Sequence, residues 1–500
     1  MSVTNNTKQT LWLSISSLAS TLIGLISPMI LSRYWSKMDY GTFKQVMYVY
    51  NTLIFVFTVG LPKSFSYFIP RVPESEVKNL VSKINFVFFL LGSIFSLFLF
   101  GCSDIIAELL KNDQLSGALR LFSIVPFLML PTMGIESIFS VYRQTHIYAI
   151  YVLITRSLIL LCTVLPVILF NGNYLDSITG FVIASFITCI LGMALKTYPL
   201  PKNVSQTKSH ISYKDLFHFA FPLFSASIWS FVITSTDQFF ISRYFGTETF
   251  AEFSNGYIEV PFVSMIVASV GTVLLPLFSQ FQSRHDVISV YSLWKSSMHK
   301  TIKIIYPIVV FFLVFSTLIM RVLYGEQYVN SGFYFMCKNI CCLFSIVPFQ
   351  VVILALGKTK EYSNIHMISA IMIVVAEFLC VKLFHSPYPI IIASILCFFI
   401  KFIMQMHLVA NSLQIRLKVL LPMRFMLRYF SIALLSGICT YFFIAILKYN
   451  NAFLNCILAF IVYVLTYYIF SFIFNLHYKD LFVSIFPTNK FFRAILKIIP

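Results

Sequence analysis

The sequence predicts an all-α integral membrane protein of about 14 transmembrane helices: two parallel six-helix repeats around a central cavity, plus a C-terminal helix pair. Three observations predict it. Hydrophobic residues make up 59% of the 500 residues and charged residues only 11%, against about 25% charged in a soluble globular chain. Apolar runs of about 20 residues, the length that crosses a bilayer, recur from end to end. A seven-residue string occurs twice, once in each half.

The runs fall near 10–32, 45–69, 80–101, 119–142, 148–170 and 176–195, then 216–241, 252–280, 301–323, 334–356, 363–384 and 388–410, and finally 425–447 and 453–474. The first run follows Lys8 and could mimic a signal peptide. It is too long, lacks a small-residue cleavage site and holds Pro28, so it reads as a retained span. A β-barrel is excluded because the segments are long and apolar rather than alternating. Prolines such as Pro126, Pro131, Pro222, Pro276, Pro307 and Pro348 fall in or near the runs, where neighbouring groups must satisfy the carbonyls they free. Eight of the ten cysteines sit inside apolar runs and read as packing residues. Cys337, Cys341 and Cys342 find no fourth ligand at zinc spacing, so no metal site is expected.

Lysine and arginine set the expected orientation. With the N-terminus in the cytoplasm, inner segments carry about 23 of these residues (Arg71, Arg143, Lys196 and Arg284 among them) and outer segments about 10. Cytoplasmic segments carry the excess in membrane proteins, so both termini are expected inside. The net charge of +18 then faces the anionic inner leaflet, and no nucleic acid is needed to explain it. After Asn475, basic residues alternate with Phe482, Phe491, Phe492 and Ile495, which predicts a basic amphipathic tail over 476–500 on the inner membrane face.

The repeat organises the chain. Leu121-Phe122-Ser123-Ile124-Val125-Pro126-Phe127 in the fourth run recurs as Leu343-Phe344-Ser345-Ile346-Val347-Pro348-Phe349 in the tenth. Ser32-Arg33-Tyr34 at the end of the first recurs as Ser242-Arg243-Tyr244 at the end of the seventh. Six helices separate the partners, so both copies share one orientation, as in parallel repeats related by an axis along the membrane normal. The expected division is a six-helix lobe over 1–200, a cytoplasmic linker over 201–215, a second six-helix lobe over 216–411, the extra pair over 412–475 and the tail. Rocking of two such lobes is a physical route to alternating access. A carrier is expected rather than an enzyme. Gly357-Lys358-Thr359 imitates half a P-loop, but Val352 stands where its first glycine belongs, and a helix rather than a strand precedes it. No loop is long enough to hold the paired acids of a glycosyltransferase or polymerase, and no filter-like loop suggests a channel.

Several short stretches carry a family resemblance. They are Arg33 with Asp39-Tyr40-Gly41 and Phe43; Gly60-Leu61-Pro62; Asp237-Gln238-Phe239-Phe240-Ile241-Ser242 with Gly246; and Leu323-Tyr324-Gly325-Glu326-Gln327-Tyr328. In this order, over roughly 10–410, the chain resembles the polysaccharide-unit flippases (Wzx-type O-antigen transporters) of the multidrug/oligosaccharidyl-lipid/polysaccharide (MOP) exporter superfamily. The resemblance implies transfer of an undecaprenyl-pyrophosphate-linked oligosaccharide from the inner to the outer leaflet of a bacterial cytoplasmic membrane, for O-antigen, capsule or exopolysaccharide. It implies no cofactor, and partners among membrane lipids, a polysaccharide polymerase and a chain-length regulator. The alternative is a cation-coupled multidrug or metabolite exporter of the same superfamily.

Charges at membrane depth nominate the site. Each costs about 2.5–3.5 kcal/mol on insertion scales and therefore faces a cavity or a partner. Arg156, Lys401 and Lys63 lie within spans, and Arg33 and Arg243 are repeat-related at span ends. These five are the expected cationic set for a pyrophosphate or acidic sugar, with the planar guanidinium suited to phosphate. Among the acids Glu136, Asp237, Glu259 and Glu377, the first two and the last are candidates for ion coupling, because a buried carboxyl can take up and release a proton.

Overall fold

The computed structural model describes residues 3–201, 205, 207–284, 286–346, 349–447, 451–476 and 478. The tail expected over 476–500 lies almost wholly outside them, as do Val347 and Pro348 of the second repeat string. Among the described residues every regular element is a helix. They are Val3–Tyr34 (α1), Lys37–Thr58 (α2), Ser64–Phe68 (α3), Glu74–Gly101 (α4), Ser103–Leu109 (α5), Gln114–Phe122 (α6), Val125–Met129 (α7), Ile135–Val141 (α8), Thr145–Phe170 (α9) and Tyr174–Thr197 (α10). There follow Tyr213–Gly256 (α11), Pro261–Ser283 (α12), Val287–Val314 (α13), Ser316–Tyr324 (α14), Ser331–Ile340 (α15), Phe349–Ala355 (α16), Thr359–Leu383 (α17), Tyr388–Leu413 (α18), Leu417–Leu420 (α19), Met423–Leu447 (α20) and Ala452–Ile473 (α21).

Eleven stretches are long and apolar enough to cross a membrane, and α2 with the bent segment Leu61–Arg71, at 55°, makes a twelfth. Twelve of the expected fourteen runs are found as spans among the described residues; runs seven and ten are the two not counted. Run seven lies in α11, which continues beyond it to a non-helical Gly246 with φ 85°. Run ten is divided between α15, a 3-10 turn at Cys341–Leu343 and α16. The repeated string sits at such a break in both halves. Ser123 N–H bonds the Arg120 carbonyl where α6 stops, and Phe344 N–H bonds that of Cys341 where α15 gives way. The bend after α2 follows from Val59 and Gly60, both left-handed (φ 48° and 73°), with Pro62 unable to donate to the preceding turn.

The chain divides into two compact units, Met1–Ala251 with Glu377–Ile390 (unit 1) and Glu252–Ala376 with Ile391–Pro500 (unit 2). In unit 1, α4 shows the membrane pattern. Leu80, Ile84, Val87, Phe88 and Phe95 are buried at helical spacing, yet the opposite face is also apolar, with Phe86, Leu90, Leu97 and Phe100 exposed. Lipid covers that face, so water gives no drive for burial, and close van der Waals contact has to hold the helices. The pairing of α9 with α10 shows how. Gly180 lies against the carbonyl of Cys162 with no room for a side chain, and Ser177 Oγ donates to the Thr163 carbonyl at 2.7 Å.

Unit 2 shows how a proline is accommodated. Pro307 cannot accept the role of donor to the carbonyl four residues back. Tyr478 Oη donates to that carbonyl, Lys303 O, at 3.2 Å, and Tyr463 Oη on α21 donates to Pro307 O at 2.8 Å. The C-terminal pair α20 and α21 packs on α13, and Tyr478, beyond α21, satisfies its broken turn.

The segment after α10 is bound to unit 1. Lys83 Nζ donates to the carbonyls of Ser209 and Ile211 at 2.8 and 2.9 Å, and the His210 amide bonds Glu76 Oε2 at 2.9 Å. Lys83 therefore holds the linker in addition to carrying charge.

Candidate functional site

Unit 1 encloses a cavity of about 550 Å³. α1 supplies Ser16, Ser17, Ser20 and Thr21, and α9 supplies Tyr148, Tyr151, Val152, Thr155, Arg156 and Ile159. Both sets follow the three-and-four spacing of one helix face. The break between α7 and α8 brings in the acid. Pro131 lies within a short 3-10 turn, Leu130–Thr132, Gly134 turns with φ 80° against the ring of Phe65, and Glu136 follows in the first turn of α8. A carboxylate is favoured there by the helix dipole. Arg156 and Glu136 both line the cavity without an ion pair between them, and Glu136 Oε2 accepts only a long 3.4 Å contact from Tyr148 Oη.

Unit 2 holds a second cavity of about 610 Å³, lined by α12 (Ser264, Val267, Gly271), α18 (Phe398, Lys401, Phe402) and residues of α16 and α17. Its walls are mainly apolar and aromatic. Lys401 Nζ lies 5.9 Å from the centre of the Phe398 ring and makes no ion pair among the described residues. Glu259 also lines this cavity, but its carboxylate lies 3.5 Å from Lys338 Nζ. Each of the two deepest predicted cations therefore faces a cavity of its own unit.

The other predicted residues separate. Lys63 is exposed, and its neighbour Pro62 lines the first cavity while Lys63 does not. Arg33 is exposed at the end of α1. Arg243 is a helix cap: its Nη1 donates to the carbonyls of Glu108 and Leu109, both at 2.7 Å, at the C-terminus of α5. A guanidinium satisfies free carbonyls there and meets the negative end of the dipole. This differs from the expected fork offered to a substrate.

Asp237 and Glu377 are both fully buried in unit 1, and Tyr48 of α2 is within electrostatic reach of each. Tyr48 Oη donates to the Ser235 carbonyl at 3.2 Å, and one turn earlier on α2 Gln45 Nε2 donates to Ser242 Oγ at 2.8 Å. Gln45 in turn accepts from Asn112. Glu136 is not part of this cluster, since it faces the first cavity.

Lys196 was missed. Its position at the end of a run suggests an inner-face charge, but it is fully buried. Nζ donates to Asn85 Oδ1 at 2.8 Å and Pro131 O at 2.6 Å, and lies 4.8 and 5.3 Å from the centres of the Phe65 and Phe88 rings. The signal was Asn85, a polar residue one turn before Phe88 in an otherwise apolar span.

A model of the family described as polysaccharide biosynthesis protein matches residues 7–282. The chain belongs to that family. A Shigella flexneri relative named "Putative O-antigen transporter" is 22% identical over 210 residues, 40% of this chain and 47% of its own, so the match spans about half of that relative's length. Among solved structures, the lipid II flippase MurJ in an inward closed conformation superposes with a TM-score of 0.67 at 16% identity, over 94% of this chain and 99% of that one. An inward-facing multidrug resistance MATE family transporter of the MOP superfamily superposes with a TM-score of 0.59 at 14% identity, over 81% and 98%. At such identities the likeness concerns the fold alone. This family member is a multi-pass membrane protein with the fold of the MOP-superfamily transporters.

Proposed function

We propose that the protein is a flippase that moves an undecaprenyl-pyrophosphate-linked oligosaccharide repeat unit from the inner to the outer leaflet, for O-antigen, capsule or exopolysaccharide. The observation that carries this is Lys401, an ammonium at membrane depth without an ion-pair partner among the described residues, facing an apolar, aromatic cavity. A lysine so placed is costly unless it meets an anion. A pyrophosphate attached to an isoprenoid chain supplies the anion and an apolar neighbour together. Arg156 lines the other cavity, beside Glu136. Lys63 and Arg33 are exposed and lead the substrate in, whereas Arg243 contributes by holding α5. The family description and the name of the Shigella relative support the polysaccharide assignment.

In this reading the two repeats, 1–200 and 216–411, work by alternating access with both termini in the cytoplasm. Transport is coupled to an ion gradient through the buried carboxyls Asp237 and Glu377, with Glu136 as a further proton site. A polymerase and a chain-length regulator take the product on the outer side. No step makes or breaks a covalent bond. The MATE-like fold and the buried carboxyls favour one second reading, a cation-coupled exporter of small molecules.

Deleting the gene decides between them. The flippase reading expects lipid-linked repeat units to accumulate on the cytoplasmic face. Unchanged surface polysaccharide in a strain without a substitute flippase would defeat it, and a drug-sensitive deletion with normal polysaccharide would favour the exporter.

A further inference from the structure

The two cavities differ in chemistry. That of unit 2 is mainly aromatic and apolar, with the ammonium of Lys401 and a carboxylate, Glu259, that is paired with Lys338. Half of the residues lining that of unit 1 carry a hydroxyl, and its two charges are of opposite sign. Its 550 Å³ falls within the roughly 300–1,000 Å³ of small-ligand sites.

The hydroxyls fall into two sets. Thr21 and Thr132 donate their protons to carbonyls of their own segments, Ser17 O at 2.9 Å and Met129 O at 2.7 Å. Their oxygens keep lone pairs for an incoming donor. Ser17, Ser20 and Thr188 have hydroxyls without a hydrogen-bond partner among the described residues, and Thr188 is only 2% exposed. A buried polar group left unpaired is costly, so Thr188 calls for a partner in the cavity. Arg156 brings donors only and Glu136 acceptors only, and the two are not spent on each other.

Resting on the flippase reading, we infer that the unit 1 cavity seats one uncharged sugar residue of the transported glycan, and that it discriminates against the pyrophosphate. A sugar hydroxyl donates and accepts at the same oxygen. One ring can therefore use the Arg156 fork, the Glu136 carboxylate and both sets of wall hydroxyls. A pyrophosphate can use Arg156 and the free donors, but Glu136 repels it and the acceptor oxygens offer it nothing. Arg156 is then a specificity residue for the glycan.

The test uses the purified full chain in lipid nanodiscs and saturation-transfer NMR. The probes, each applied alone and then in competition, are N-acetylglucosamine, galactose and inorganic pyrophosphate. At least one of the two sugars should bind. Glu136→Gln and Arg156→Gln should each weaken it roughly tenfold, the scale of one lost hydrogen bond to a charged group, and pyrophosphate should not displace it. Ser20→Leu, which fills the cavity from α1 and leaves both charges in place, should abolish binding in a protein that stays monodisperse. Failure of both sugars to bind, binding indifferent to all three variants, or displacement by pyrophosphate would each overturn the inference. The parent reading is tested separately. If the three variants restore full export to a deletion strain that accumulates lipid-linked units, the sugar seat is wrong and the flippase stands. If the deletion accumulates none, the flippase reading itself is wrong, whatever the nanodiscs show.

Discussion

Lys196 shows what one buried side chain contributes. Its ammonium joins three pieces of unit 1: Asn85 of α4, the Pro131 turn and its own helix α10. The turn leads through Gly134 to Glu136, so the amine also fixes where that carboxylate stands. Removing it leaves two buried oxygens unpaired at about 1–3 kcal/mol each. Lys196→Ala should therefore lower the thermal midpoint in detergent markedly, and Lys196→Met, which restores the packing but not the bonds, should recover part of it. For transport, Arg156→Ala and Lys401→Ala should each cut lipid-linked glycan export by tenfold or more while expression persists, measured by cell-surface polysaccharide at equal protein level. Depth within a run made Arg156 and Lys401 legible in the sequence, because a charge about 12 Å from a helix end has few solutions. Lys196 and Arg243 were not legible in that way. Both sit near the ends of runs, where residue type and position leave open whether the side chain turns outward to water or back onto a neighbour's carbonyl.

At the scale of elements, hydropathy found the spans but not their interruptions. Runs two and four qualify as spans although the first is bent at Val59 and Gly60 and the second is broken at Ser123, because the apolar composition continues through each break. The repeated Leu-Phe-Ser-Ile string was informative in a way its conservation between halves did not reveal: it marks the break in each. Where helices are continuous, small residues govern contact. Gly180→Leu should force α10 off the Cys162 carbonyl, and the protein should lose its monodisperse peak in size-exclusion chromatography, while Gly101→Leu, which meets open space, should be tolerated. The cost follows from overpacking, typically about 1–3 kcal/mol and more where backbone is the obstacle.

For the whole molecule the expected properties are orientation and coupling. Reporter domains fused to either end should both be active in the cytoplasm, as the excess of basic residues in alternate segments requires. An outward signal from either would reverse the topology. If Asp237 and Glu377 carry the coupling proton, Asp237→Asn and Glu377→Gln should leave substrate exchange intact but remove its response to an imposed proton gradient in vesicles. The burial of both beside Tyr48 motivates this. That both acids lie within electrostatic reach of Tyr48 was not legible: they sit on distant segments, and only the folded chain brings each near α2.

Order of synthesis adds a constraint at the Pro307 turn. The carbonyl that Pro307 frees, Lys303 O, waits for Tyr478, which comes 175 residues later in sequence. At about 5–20 residues per second, the ribosome delivers it roughly 9–35 s after that carbonyl has been made. Throughout that interval the newborn helix carries a bare acceptor that hydrocarbon cannot satisfy. Release of α13 into lipid should therefore lag until Tyr478 arrives, and a chain terminated after α20 should be held back and degraded rather than accumulate as a working carrier.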